Sequence, residues 1–292
     1  MTTIRLSAFS DEAADSIDGQ IAALKRNNIA YTELRSVDGK NVSEFTDKEA
    51  AEYVCKLHGE GINVWAVGSP LGKTDISTDF SEYEKKVRRV CTTAKILGTD
   101  KVRIFSFFNA YGKRQEVIER LRHMTEIGYE YGITMYHENE KEIYGDTAER
   151  VLDLMDHVPN LRFIYDPANF LQTGECANNT LPLLHRCGYV HIKDARLGGA
   201  IVPAGMGDGQ IERLLGELKG EVTLTLEPHL ALFSAYKNID GTELKNELTF
   251  SDNDSAFDAA ATALKELLRK TGFYASGVTG EFVKKQKERR KI

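Results

Sequence analysis

Four short segments put acids or an imidazole where chemistry could be done: His137-Glu138-Asn139, Tyr165-Asp166-Pro167, His191-Ile192-Lys193-Asp194 and Leu226-Glu227-Pro228-His229. Each closes an apolar, β-rich run. A buried strand seldom ends in a bare carboxylate, because an unpaired charge away from water is costly. Four strands in succession doing so point to a shared partner. Glu138, Asp166, His191 and Glu227 together offer hard oxygens and one imidazole nitrogen. That donor set suits one divalent metal ion, Mn²⁺ as first choice, with Mg²⁺, Co²⁺ or Zn²⁺ open. Taken singly, each acid is more often a helix cap or ion-pair member, and His191 a satisfied core histidine. Only their repetition carries the metal reading.

Neighbouring residues sort by strand alternation. His137 should point away from the ligand face and serve a structural role or support the ligands from behind. His229 shares the parity of Glu227 and could reach a substrate. Asp194 should pair with a neighbour or cap a turn. Other candidates for substrate contact sit at or just past strand ends: Glu33, Arg35, Ser69, Lys73, Asn169, Lys193 and Arg196. The cations among them could hold a phosphate or carboxylate, or could simply answer the ring of acids. Gly205-Met206-Gly207-Asp208-Gly209 reads as a tight turn with an acidic cap before a helix at 210–219, since a carboxylate would repel a phosphate. Trp65, Phe105, Phe107, Phe108 and Phe170 could wall an apolar face, although core packing is the ordinary role of each.

Eight runs must position these residues: 4–9, 31–35, 63–67, 101–107, 133–138, 161–166, 189–192 and 222–227. Amphipathic helical stripes lie between them, such as Val87, Val90, Ala94 and Leu97, then Val117, Leu121 and Met124, then Val151, Leu152 and Met155. Gly61, Gly98 and Gly132 each stand where a left-handed residue ends a helix before the next strand. Strand and helix alternating eight times predicts a parallel sheet, because parallel neighbours need a crossover. The fold class is therefore α/β, a single (β/α)8 TIM barrel with its site at the C-terminal strand ends. A doubly wound open sheet would carry a Gly-rich fingerprint after the first strand, where this chain has Ser10-Asp11-Glu12. The barrel spans 1–272. A long loop follows strand eight, at 230–253, and a basic C-terminal extension covers 273–292, either solvated or an oligomer contact.

The chain has 292 residues, of which 41% are hydrophobic and 28% charged, and its formal charge is −6. The last twelve residues are basic, so the rest is about −10, a poor surface for a phosphate backbone. No nucleic-acid partner is expected. No apolar run approaches the roughly 18 residues of a membrane span, and the start lacks a signal-peptide pattern. Cys55, Cys91, Cys176 and Cys187 form no C-x-x-C pair, which suits a reducing cytoplasm.

The chain also resembles the xylose isomerase-like superfamily of sugar and sugar-phosphate isomerases and epimerases. The resemblance runs through YTELRSVDGKNV (31–42), VGSPLGK (67–73), RIFSFF (103–108), HENEKEIYGDTAER (137–150), YDPANF (165–170), HIKDA (191–195), VPAGMGDGQI (202–211) and LEPHL (226–230). It implies that Glu138, Asp166, His191 and Glu227 hold the metal and that Glu138 and Glu227 flank the reacting carbon. One glutamate removes a proton beside a carbonyl, the metal steadies the enediolate, and the other glutamate returns a proton. The chemistry is sound on its own terms, because a carbon acid beside a carbonyl is weak and its oxyanion needs a Lewis acid. The resemblance implies a small-molecule sugar as partner, a role in carbohydrate metabolism, and a dimer or tetramer; a partner subunit on the barrel top stays open.

Ketose 3-epimerases of that superfamily carry a His three residues past the strand-six Asp, where this chain has Asn169. They carry an Arg six residues past the strand-seven His, where it has Leu197, with Arg196 one place short. The substrate is therefore left open. A metal-dependent lyase or dehydratase acting on a keto-sugar or keto-polyol would use the same residues. An endonuclease-IV-like phosphodiesterase needs a histidine-rich trinuclear site and a basic face, which seven His and an acidic body do not provide.

Overall fold

A computed structural model describes residues 1–231 and 248–285. Eight parallel strands form the barrel: β1 (Thr2–Ala8), β2 (Tyr31–Leu34), β3 (Asn63–Val67), β4 (Lys101–Ile104), β5 (Thr134–Glu138), β6 (Arg162–Tyr165), β7 (Cys187–Ile192) and β8 (Glu221–Leu226). Each pairs with the next, and β8 returns to β1 with Thr3 opposite Glu221 and Ala8 opposite Leu226, which closes the barrel. Apolar residues on both faces make this possible, because the strands must bury one side in the barrel and the other beneath helices. Most of the apolar residues form one continuous core between strands and helices, while Ala66, Ile164 and Tyr189 form a smaller cluster with Trp65 and Tyr136.

The expected runs and the strands coincide with end shifts of a few residues. The largest difference is at 101–107, where the strand stops at Ile104. Beyond it Phe105 and Phe107 bond to the loop at Leu71 and Gly72, and Phe107 takes φ 68°. Gly61, Gly98 and Gly132 adopt φ 76°, 75° and 69°, as their positions after helices require. Of the expected 151/152/155 stripe only Val151 is fully buried, and the helix Ala148–His157 turns Ala148, Val151 and Leu154 inward. The helix expected at 210–219 runs from Ile211 to Glu217, and the one after β8 from Asn253 to Lys270.

The expected loop over 230–253 lies largely outside the described residues, as do residues 286–292 of the tail. The tail's first part joins the sheet. β9 (Tyr274–Ala275) pairs with β10 (Glu281–Lys284), and β10 runs antiparallel to Thr2–Arg5 of β1. β1 meets β2 only at Ser7 and Ala8, so β10 fills the lower part of that seam. Phe273 and Phe282 are buried there, which ties the hairpin down. Among the described residues no helix is long and apolar enough to cross a membrane.

Candidate metal centre

The ends of β5 to β8 bring Glu138, Asp166, His191 and Glu227 together, all buried, with donor atoms within 4.8 Å of one another. Each is placed by its own element. Glu138 is the last residue of β5. Asp166 caps the helix Pro167–Gln172, its Oδ1 accepting from Asn169 N at 2.8 Å, with Pro167 in the first turn where its missing N–H costs nothing. Asn139 accepts from Asp166 N and donates to Asp166 O, both at 2.9 Å, locking the β5 and β6 ends together. His191 Nδ1 lies 2.8 Å from Glu138 Oε1 and 3.5 Å from Glu227 Oε2.

Fixed cations surround this set. Arg103 Nη1 is 3.1 Å from Glu138 Oε2 and 3.9 Å from Glu227 Oε1. Lys193 Nζ stands 3.1 Å from Asp166 Oδ2 and 3.2 Å from Glu227 Oε2. Arg35 makes a two-toothed pair with Asp11 at 2.8 and 2.9 Å, reaches Glu12 at 3.1 Å, and points Nη1 at Glu227 Oε1, 3.4 Å away. The ring of Phe9 supports both guanidiniums, 4.3 Å from Arg35 and 4.9 Å from Arg103.

Even so, acids predominate. Asp11, Glu12, Glu33, Glu138, Asp166 and Glu227 are buried beside Arg35, Arg103 and Lys193. Some of the acids respond by holding protons. Burial pushes Asp166 up to about 7, with Glu227 and Glu138 adding to it and Lys193 opposing. Burial also pushes Glu12 up to about 8, aided by Glu227 and Asp11 and opposed by Arg35. For Glu138 burial acts upward too, but His191 and Arg103 override it and bring it to about 2. Burial likewise fails to raise Glu227, which Lys193, His229 and His191 hold well below the usual carboxylate range.

The residues fit a divalent ion. Hard oxygens and one imidazole nitrogen converge, and a divalent ion could take the place of the protons that Asp166 and His191 hold. Asp166 Oδ2 is buried without a hydrogen bond, 3.1 Å from the Lys193 ammonium. A second group, Glu12, Glu227 and His229, also clusters. That group brings three residues together against four in the first, so the first set is the candidate.

The other expected residues are distributed as follows. His229 takes φ 47°; its N donates to Glu12 at 2.6 Å and its Nε2 lies 3.4 Å from both Glu12 and Glu227. Asn169 Nδ2 donates to Asn139 O at 2.9 Å and faces Glu138 at 3.4 Å. Ser69 Oγ donates to Arg103 O at 2.5 Å. Lys73 is paired with Glu140 at 2.9 Å over the Phe105 ring. Arg196 is half-buried in the turn of a small hairpin, where its N donates to Ala200 O at 2.8 Å. Glu33 accepts from Tyr189 OH at 2.9 Å and lies 3.0 Å from His191 Nε2, on the other side of the imidazole from Glu138.

His137 turns away to Ser106 Oγ at 2.9 Å, and burial depresses it to about 3, so it is neutral. Asp194 accepts from the backbone N of Ala195, Gly205, Gly207 and Gly209 and so folds the glycine-rich turn around itself. Trp65 does not belong to the barrel mouth, since it packs near the strand starts with Tyr31, Arg5 and Lys101. Phe170 packs on Phe163 and Tyr165, and Phe107 on Tyr83. Arg103, Phe9, Asp11 and Glu12 were missed by sequence reasoning. A charged residue amid the apolar run 101–107 was the available signal for Arg103.

The sequence profile described as xylose isomerase-like TIM barrel matches residues 21–229. No curated protein matches the chain. Several solved structures share its fold. The probable 3-DHS dehydratase AsbF of petrobactin synthesis in Bacillus anthracis is 16% identical with a TM-score of 0.68, covering 91% of this chain and 99% of its own. IolI, solved with a zinc atom, is 14% identical with a TM-score of 0.69 over 91% and 99%. A D-allulose 3-epimerase from Methylomonas sp. is 16% identical with a TM-score of 0.68 over 92% and 98%. At such identities the likeness speaks for the barrel alone, whereas the profile match covers most of the sequence: this chain belongs to the xylose isomerase-like TIM barrel family.

Proposed function

We propose that the chain is a divalent-metal-dependent isomerase or epimerase of a sugar or sugar phosphate. Glu138, Asp166, His191 and Glu227 would hold the ion, with Mn²⁺ favoured. One observation carries the reading: Glu138 and Glu227, both buried and both held ionised, approach the same His191 nitrogen from different strands, β5 and the end of β8. Two carboxylates around one reacting centre permit proton removal from one side and return from another. When bound, the ion supplies Lewis acidity for an oxyanion beside the reacting carbon. Arg103 and Arg35 keep the glutamates oriented. Lys193, on the Asp166 side, and His229, on the Glu12 side, can donate to substrate oxygens. Both glutamates are ionised at neutral pH, so either can accept the carbon-bound proton. The return comes from a glutamate that has taken a proton up, the same one or its counterpart after protonation from solvent.

A lyase reading uses the same residues and is favoured by one detail. The Lys193 ammonium, lodged between Asp166 and Glu227, is a proton source for a departing hydroxyl. Incubating the metal-loaded protein with a panel of keto- and aldo-sugars, free and phosphorylated, in D₂O separates the two. Deuterium beside the carbonyl of an isomeric product supports the isomerase. A deoxy or enone product overturns it in favour of the lyase, and an active metal-free protein overturns both.

A further inference from the structure

We infer that Glu33, anchored by Tyr189, is a positioning residue that fixes His191 as a metal ligand through its Nδ1; this rests on the metal reading of the site. Tyr189 and His191 are two apart on β7 and so face the same way, into the barrel, where Glu33 arrives from β2. Tyr189 OH donates to Glu33 Oε1 at 2.9 Å and His191 Nε2 lies 3.0 Å from Glu33 Oε2. All three residues are 0% exposed. Both oxygens of Glu33 are thereby engaged inside the barrel.

The consequence falls on the imidazole. A carboxylate accepts but does not donate, so Nε2 must carry a proton to bond it. Nδ1, the atom lying against Glu138 and Glu227 on the side of the clustered acids, is then the nitrogen that can give up its proton and turn a lone pair to a cation. Rings hold the plane in place: Phe9 stands edge-on at 5.2 Å between centroids and Tyr189 lies at 5.5 Å. Added negative charge on the far nitrogen also makes Nδ1 a stronger donor to an ion. Glu33 thus acts on the ion through His191 and on His191 through geometry and charge together.

The test uses the full chain and the variants E33Q, E33L and Y189F, titrated with Zn²⁺ and Mn²⁺ by calorimetry, with thermal melts to show folding. The amide of E33Q can accept from Nε2 and donate to Tyr189, so it keeps the geometry and loses the charge. Affinity should fall roughly tenfold in E33Q and up to about 100-fold in E33L. Adding Y189F to E33L should cost little more, because its anchor role is already gone. Nitrogen-15 spectra of the histidine-labelled zinc form should show His191 protonated at Nε2 and bound at Nδ1. Variants that bind as wild type does, or a zinc form bound through Nε2, overturn this inference alone; should E33L not fold, E33Q decides. A wild-type chain that takes up neither ion overturns the metal reading, and this inference with it.

Discussion

The guanidinium of Arg103 donates to Glu138 Oε2 at 3.1 Å, inside a barrel where only 4% of the arginine is exposed. The same nitrogen stands 3.9 Å from Glu227. One cation from β4 therefore serves both glutamates and joins strands that are not neighbours. Its Nη2 and Nε are spent on the backbone oxygens of Gly68 and Ser69, at 3.2 and 3.4 Å. Arg103 is thus a fixed part of the site's charge balance.

Removing that cation should leave buried carboxylates short of positive charge. We expect R103M to cost about 3–5 kcal/mol of stability, and R103K, which keeps charge but loses the fork, to cost less. A divalent ion should narrow the gap, because it supplies part of the missing charge. Urea unfolding of wild type and variant, each with and without Mn²⁺, checks this; an equal gap in both conditions counts against the charge-balance account.

Metal uptake should displace protons. Asp166 is pushed up to about 7 by burial, so below that pH a proton competes with the ion. His191 is buried as well, which disfavours its charge, but Glu138 and Glu33 raise it well above its ordinary value, so its Nδ1 also carries a proton to be displaced. Binding should release about two protons near pH 6 and about one near pH 8, and affinity should weaken as pH falls. Calorimetry in buffers of different ionisation enthalpy counts them. Release that does not grow with falling pH would contradict the assignment.

His137 should make the fold acid-sensitive. Its folded value is depressed from 6.5 to about 3 by burial, so between those limits the unfolded chain binds a proton that the folded chain refuses. Stability from this group is present above about pH 6.5 and is lost as pH falls, at up to about 1.4 kcal/mol per unit. H137Q should lack that component. Comparing denaturation of the two proteins from neutral to mildly acid pH isolates the slope.

The turn at 203–209 depends on one carboxylate. Asp194 accepts from Gly205 at 2.8 Å, Gly207 and Gly209 at 3.0 Å, and Ala195 at 2.9 Å. D194A strands these donors and should cost about 2–4 kcal/mol. D194N should do nearly as badly, because its amide N–H₂ points donors at donors. The turn should become a site of limited proteolysis while intact protein keeps its barrel; unchanged cleavage would show the turn is held by other contacts.

The barrel and the convergence of four strand-end residues were legible because both follow from local rules. Periodicity separates strands from helices, and a strand end is where a (β/α)8 site lies, so Glu138, Asp166, His191 and Glu227 could be read one strand at a time. What could not be read were relations across the barrel. Glu33 looked like a rim residue, yet it meets Tyr189 and His191 from the opposite wall, a pairing that depends on strand stagger. Asp11 and Glu12 were read only as unsuited to phosphate, because their partner Arg35 follows a different strand, β2. Trp65 sits too low on its strand to join the mouth, and its neighbours Arg5 and Lys101 belong to other strands.

Strand β1 is bordered along its length by β8 and, over Thr2–Arg5, by β10. Both neighbours come from late in the sequence. As the chain emerges from the ribosome, β1 precedes the other barrel strands and has open hydrogen-bonding edges until β8 and β10 exist, apart from its short meeting with β2. Such an edge invites pairing with another chain. The nascent protein therefore has a vulnerable interval set by its topology, and residues 281–284 help to end it.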